Sequence, residues 1–456
     1  MRGGLLLFGA CLLVLVCTTG SRADDVEGRQ SKAIARIESL GGEVEIDASA
    51  PEAPAVSVKL PRAMIGGDVL VHLRDLPGIT ELYLDNPGVT DAGLANVKEL
   101  VQLRTLFLSG FHDTTLPWGF DFRVFATIGG NPRLVAARIT NAGLENLAAL
   151  TELRELRLSG TNISSAGLRH LGGLTKLETL LLNSTAITDA GLAHLANCRQ
   201  LEYLDLADTA VTDAGLVELR SFAPLRELNL LNTQVGDRGV AHLRALPQLA
   251  CLVLDGTALT DRGLETLCDM PQLDWLVLGR TRVTDAGLLH LAKLPKLKVL
   301  HLEENHITDA GLAHLTALTK LTELVLDKTQ VTDAGLAHLT RMASLECLYL
   351  RGTQITDEQL KIFTRMKNLQ MLGLQETQVS AEGVEDLQQA MPVCHVIWLP
   401  RRATTTAHLA ARTPVDDDDG SDVPEDDASN DTEFDRIDLD NADLATLATI
   451  LATDQN

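Results

Sequence analysis

Ten leucines, Leu153, Leu177, Leu201, Leu225, Leu249, Leu273, Leu297, Leu321, Leu345 and Leu369, stand 24 residues apart without one insertion. No other feature constrains the fold so tightly. A unit of that length cannot bury its own apolar residues, so neighbouring units must stack into one continuous core. The unit reads L-x-x-L-x-L-x-x-T-x-[VI]-T-D-A-G-L-x-x-L-x-x-[LM]-x-x. Extending the period backwards reaches Leu103 and Ile79, then a weaker start at Ala55 with Val58 and Leu60 in phase. Leu103 and Leu153 are 50 residues apart, which is read as one degenerate unit with two extra residues. The expected count is about fourteen units over 55–392, closed by a strand through Val393, Val396 and Trp398.

The second half of L-x-x-L-x-L alternates, as a short strand with one buried face does. Thr161, Thr185, Thr209, Thr233, Thr257, Thr281, Thr329, Thr353 and Thr377 follow the strand. A hydroxyl there can bond both the turn backbone and the neighbouring unit. The T-D-A-G-L step then offers an Asp or Thr N-cap (Asp189, Asp213, Asp285, Asp333) ahead of apolar residues at helical spacing. Each unit is therefore a strand followed by a short helix with one buried stripe. Aromatics are only 3% of the chain against 45% hydrophobic residues, so the core has to be built from Leu, Val, Ile and Ala.

Over residues 55 to about 400 this unit resembles the leucine-rich-repeat consensus, and more narrowly the T-D-A-G-L subclass of exported bacterial proteins. The resemblance implies an α/β solenoid, a horseshoe with parallel strands on its concave face and short helices on its convex face. It also implies binding of a protein partner on the concave face. Proteins of this kind begin with a helix, an L-G-G turn and a strand, here Ile34 to Gly42 and then Val44 to Asp47. Residues 24–54 are thus expected to cap the N-terminal end and 393–400 the C-terminal end, because an uncapped terminal unit exposes core leucines.

Outside the repeats, Arg2, the apolar run Leu5 to Val16 and Ser21-Arg22-Ala23 read as an export signal cleaved after Ala23. The expected location is secreted or periplasmic, with no later membrane span, and lipoprotein anchoring through Cys11 or Cys17 is disfavoured by the bulky Val16 and the short spacing. Residues 401–456 read as an acidic disordered tail: from 416 onward there are 15 acidic residues and one basic residue, Arg436. In the tail, Asp438-x-Asp440 lacks the glycine and closing glutamate of a calcium loop, which leaves weak divalent binding by Asp416 to Asp419 as the rival to a solubilising tail. A formal net charge of -23 argues against nucleic acid as a partner. Beyond the signal, Cys198, Cys251, Cys268, Cys347 and Cys394 form no C-x-x-C pair, and their spacing in the repeat keeps them too far apart to bridge. No cofactor, no metal and a monomeric chain are expected.

Four features are candidate sites. His170, His194, His242, His290, His314 and His338 share the eighteenth position of their units, but Glu218 and Thr266 interrupt the series, which favours a flank of the helix stripe over a metal ladder. Six of the chain's fifteen aromatics crowd the irregular region, among them Phe111, Trp118, Phe120 and Phe122. Such a loop either carries a binding surface, carbohydrate included, or plugs a void. Positions three and five of each strand point away from the core. There Tyr203, Val253, Trp275, Val277, Val299, His301, Val325 and Tyr349, with Cys251 and Cys347, form an apolar stripe expected to be exposed, rimmed by Asp255, Arg280, Glu303, Asp327 and Arg351. Enzyme motifs are absent: no H-E-x-x-H, P-loop, G-x-S-x-G or dinucleotide fingerprint occurs. The reading is a non-enzymatic interaction scaffold, with a structural envelope spacer as the alternative.

Overall fold

Three-residue strands form where the sequence alternates, and in the computed structural model they stack in perfect repeat register. Glu227 pairs with Cys251, Cys251 with Trp275, Trp275 with Val299, Val299 with Glu323, Glu323 with Cys347, Cys347 with Met371 and Met371 with His395. The structure describes residues 28–46, 55–60, 69–84, 88–108 and 137–399, all of which belong to one structural unit. Its main sheet has 15 strands; the first, Glu43–Ile46, runs antiparallel to Ala55–Lys59, and the other fourteen run parallel. A helix over 28–39 precedes it, burying Ala33 and Ile37. The export signal, the acidic tail, and Phe111, Trp118, Phe120 and Phe122 lie outside the described residues.

The repeat leucines all lie in one core. In the unit starting at Leu249, for example, Leu249, Leu252, Leu254, Leu259, Leu264 and Leu267 are each fully buried. Strand and helix thus bury facing apolar stripes against each other, and the next unit covers the edge. At the C-terminal end the strand His395–Ile397 completes the sheet, and the Trp398 indole N–H donates to the Val379 carbonyl at 3.2 Å.

The degenerate unit expected between Leu103 and Leu153 supplies no strand to the sheet. Strand Thr105–Phe107 pairs directly with Glu155–Arg157. The convex half of that unit resumes at Ala137–Thr140 and the helix Asn141–Leu144. Leu103 to Ile139 spans 36 positions where Leu153 to Ile163 spans 10, so the irregular region is one unit with a 26-residue insertion placed after its strand. A spacing of 50 fits either division; the strand pairing decides between them.

Of the two N-caps that the T-D-A-G-L step offers, the threonine is the one used, and the aspartate has another job. Threonine is the N-cap: the Thr308 hydroxyl accepts from the Ala310 N–H at 3.3 Å. The aspartate is the first helical residue and faces the next unit. Asp285 Oδ1 accepts the Thr308 N–H at 2.9 Å and its Oδ2 accepts the Thr308 hydroxyl at 2.6 Å. The same clamp joins Asp189 to Thr212, Asp237 to Thr260, Asp261 to Thr284, Asp309 to Thr332 and Asp333 to Thr356. It also bridges the insertion, from Asp91 to Thr140. The glycine follows from this geometry, since a Cβ at Gly311 would collide with Asp285 Oδ1. The strand-end threonines bond their own turn, as Thr329 Oγ1 donates to the Leu326 carbonyl at 2.6 Å, and the Thr281 hydroxyl also reaches Asn305 Oδ1 of the next unit at 3.0 Å. Reaching the neighbouring unit from that position takes Asn305, whose Nδ2 donates to Leu278 O at 2.7 Å.

All five cysteines of the described residues are free. Burial pushes the Cys198 and Cys394 thiols up to about 11 and the Cys268 thiol up to about 12, so none of these three is a thiolate at neutral pH. Intact mass of the chain lacking residues 1–23 is therefore expected to be identical before and after reduction. A two-dalton gain would reveal a disulfide and contradict this register.

Candidate partner-binding face

Side chains at strand positions three and five lie on the face of the sheet turned away from the helices. Most of the stripe expected to be open is covered. Cys251, Val253, Val277, Val299, His301 and Val325 are all buried, while Trp275, Glu323, Cys347 and Tyr349 are half-buried. Stacking explains much of this: parallel strands ~4.8 Å apart bring identical positions into van der Waals contact. Position five alone runs Val253, Val277, His301, Val325. The large rings then lean over their neighbours. The Tyr349 hydroxyl reaches Met371 Sδ at 2.8 Å, and its ring lies where a Cβ on Gly373 would sit. Trp275 has its ring 6.4 Å from that of His301. An extended apolar surface is absent from this stripe; two aromatic edges in a polar setting remain.

That setting is built by the positions just after the strands. Position eight of each unit takes the left-handed conformation, as at Arg280 (φ 49°), Glu304 (φ 55°) and Lys328 (φ 53°), turning these side chains onto their neighbours. Arg280 grips the buried Asp255 with two hydrogen bonds, of 3.1 and 2.6 Å. Lys328 pairs with Glu304 at 2.9 Å and Arg351 with Glu376 at 2.6 Å. His301 Nε2 lies 3.0 Å from Glu323 Oε1. Burial alone would lower the His301 imidazolium, but the Glu323 hydrogen bond and the charges of Glu323, Glu303 and Asp255 outweigh it and leave its pKa raised.

Glu303 and Asp327 complete the cluster without a salt bridge of their own, although His301 with Arg280 acts on the first and Arg351 with His301 on the second, each opposing the rise of the carboxyl. Glu303 lies across Gly279, whose added Cβ would stand 2.5 Å from the Glu303 carboxyl carbon. Its Oε2 is covered and accepts no hydrogen bond. Asp327 Oδ1 accepts only the Arg351 backbone N–H, at 2.8 Å. Burial raises both carboxyls, with Asp255 adding to Glu303 and Glu303 adding to Asp327; Asp327 is pushed up to about 7. All five residues expected to rim the stripe thus meet in one network, joined to His301 and Glu323.

A second stripe is not among the sequence candidates, although counting from Ala55, Ile79, Leu103 and Leu153 places its residues at position five. Lys59, Tyr83, Phe107 and Arg157 occupy position five of four consecutive strands. The Lys59 ammonium is 5.7 Å from the Tyr83 ring centre, Tyr83 meets Phe107 edge-on at 4.7 Å, and the Arg157 guanidinium covers Phe107 at 3.8 Å. Glu155 holds Arg157 through two hydrogen bonds of 2.9 and 2.7 Å. The ladder is internally satisfied by cation–π and ion pairing. The histidines at position eighteen stand on the helix side and are half-buried apart from the exposed His194. No group of three His, Cys, Asp or Glu among the described residues could hold a metal ion, and no helix among them is long and apolar enough to cross a membrane.

Comparison with known proteins follows the same lines. A family model described as Leucine Rich repeat matches residues 197–219 and 293–315. No curated protein matches in sequence. Among solved structures, an internalin (inlF) from Listeria monocytogenes is 23% identical, covering 76% of this chain and 90% of its own with a TM-score of 0.52. A leucine-rich-repeat protein from Leptospira interrogans is 17% identical over 71% of this chain and 91% of its own, with a TM-score of 0.38. A plant peptide hormone receptor in complex with RGF2 is 16% identical over 72% of this chain and 57% of its own, with a TM-score of 0.40. The matched units, the register of the sheet and the internalin likeness agree: the chain is a leucine-rich-repeat solenoid.

Proposed function

We propose that the chain is an exported, non-enzymatic scaffold that holds a protein partner against the strand face of its solenoid, around Trp275 and Tyr349. The observation that carries this reading is the half-buried state of these two rings on a sheet face whose valines, Val253, Val277, Val299 and Val325, are covered. Aromatic edges framed by charged residues are the usual anchors of protein interfaces. The reading takes export from the apolar N-terminal segment Leu5 to Val16, as in the T-D-A-G-L subclass that the repeats resemble.

The test is cross-linking of the exported chain in its native envelope or medium, followed by affinity measurement on the captured protein. Replacing Trp275 and Tyr349 together by alanine is expected to weaken that binding by ~2 kcal/mol or more for each anchor. The thermal midpoint should shift little in comparison, which circular dichroism checks. Unchanged affinity would move the contact elsewhere. Absence of any captured partner would favour a spacer role.

A further inference from the structure

Four acid–base pairs lie on the strand face between Asp255 and Glu376: Asp255 with Arg280, Glu323 with His301, Glu304 with Lys328, and Glu376 with Arg351. Each cation of the cluster makes one of these pairs, Arg351 through its terminal nitrogen with its Nε–H left unbonded. Glu303 and Asp327 remain, on adjacent units, with no ion-pair partner among the described residues. They are not free surface acids. Asp327 is fixed by the Arg351 N–H, and Glu303 is held across Gly279 with Oε2 covered and unbonded. Beside them is the fully buried His301, whose Nδ1 also lacks a hydrogen-bond partner. Both acidic residues still reach solvent in part. Two fixed acids whose ionised form the partly dry setting disfavours gain more from an approaching cation than the same acids in water.

Trp275 and Tyr349 flank this pair in unit order, at strand positions three and five, whereas the two acids follow the strands at position seven. Trp275 belongs to the unit before Glu303 and Tyr349 to the unit after Asp327, so the rings stand about 14 Å apart along the sheet, three strand spacings. An extended lysine or arginine side chain reaching the ends of these strands comes alongside both carboxylates, with one of the two rings on its flank. A metal ion is a poorer fit, because the donors do not converge on one point.

We infer that the partner segment bound at this face is basic, and that one of its lysine or arginine side chains supplies the missing cation to Glu303 and Asp327. The inference rests on the strand-face reading above and names the chemistry of its partner.

Fluorescein-labelled octa-lysine and octa-arginine, titrated by anisotropy into the full chain at moderate salt, test it. The chain is acidic overall, so the control must remove equal charge elsewhere. Glu303→Gln with Asp327→Asn is expected to weaken probe binding at least about tenfold, whereas Asp416→Asn with Asp417→Asn changes it less than about twofold. Both pairs are isosteric, and Asp327→Asn keeps the acceptor for the Arg351 N–H, so folding is preserved and checked by circular dichroism. Equal loss in the two double variants, or none in the first, overturns the inference. So does stoichiometric displacement of the probe by calcium that depends on Glu303 and Asp327. Failure of the strand-face reading itself looks different: the cross-linked partner would then bind the Trp275→Ala, Tyr349→Ala chain with unchanged affinity.

Discussion

Replacing Asp309 by alanine is expected to lower the unfolding free energy by about 3 kcal/mol, read from urea titration, although the side chain touches no apolar core. Two hydrogen bonds to an ionised acceptor vanish together: the Thr332 N–H at 2.8 Å and the Thr332 hydroxyl at 2.6 Å. Bonds to charged groups contribute roughly 1.5–3 kcal/mol each, and the stranded Thr332 N–H adds a desolvation cost. Asp309→Asn is the informative companion. At an earlier unit Asn141 makes the same bridge, its Oδ1 accepting the Ser164 N–H and its Nδ2 donating to the Ser164 hydroxyl, both at 2.8 Å. The asparagine variant should therefore lose less than about 1 kcal/mol. If it falls as far as alanine, the aspartate acts through its charge at the helix N-terminus and not through the clamp.

The second large effect is a pH-dependent gain. Asp205 is fully buried in position five of its strand, between Leu181 and Asn229. Its Oδ1 accepts the Ala207 N–H at 2.9 Å, and its Oδ2 is covered with no partner. Burial pushes its carboxyl from 3.8 up to about 7, with Asp208 adding to the rise and the Ala207 and Asn229 hydrogen bonds opposing it. The folded state thus holds this proton more tightly than the unfolded chain. The stability it contributes is complete below about pH 4 and is lost as pH rises through about 7. The loss is on the order of 4 kcal/mol, since each tenfold gain in proton affinity on folding corresponds to about 1.4 kcal/mol. Asp205→Asn removes that slope. The variant should match the parent near pH 4 and exceed it by about 2 kcal/mol or more at about pH 8, by urea unfolding across the range. A constant difference between the two, independent of pH, would show that Asp205 is not the titrating group.

Much of the fold is legible in the sequence because the repeat is so regular. A period of 24 held over ten units fixes which leucines share a layer and which strand residues pair, so Cys251 facing Trp275 follows from counting. Three things do not follow. The aspartate of T-D-A-G-L looks like a cap within its own unit, and only the folded chain reveals that its partner lies 23 residues away. The 50-residue gap divides equally well into an extra unit or an insertion until Thr105–Phe107 is seen to pair with Glu155–Arg157. For the candidate site, the sequence identifies the outward positions and names Trp275, Tyr349 and the charged rim. It does not say how far Val277 or His301 is covered by its neighbours. Exposure on a sheet depends on the sizes of the flanking side chains and on how their rotamers lean, and alternation alone carries neither.

Both ends of the 26-residue insertion are anchored. The Leu108 N–H donates to Arg157 O at 2.9 Å on one side, and on the other Thr140 is held by both oxygens of Asp91. For a flexible chain between two such tethers, the entropic cost of joining the ends grows only with the logarithm of its length. Doubling it costs only about 0.6 kcal/mol. Adding one residue inside any other unit instead shifts a strand against both neighbours and pulls its threonine from the preceding aspartate. Among the described residues, the junction between Leu108 and Ala137 is thus a place where chain length does not enter the register of the sheet. A foreign epitope or a small folded domain grafted between Leu108 and Ala137 should leave the rest of the solenoid as it is.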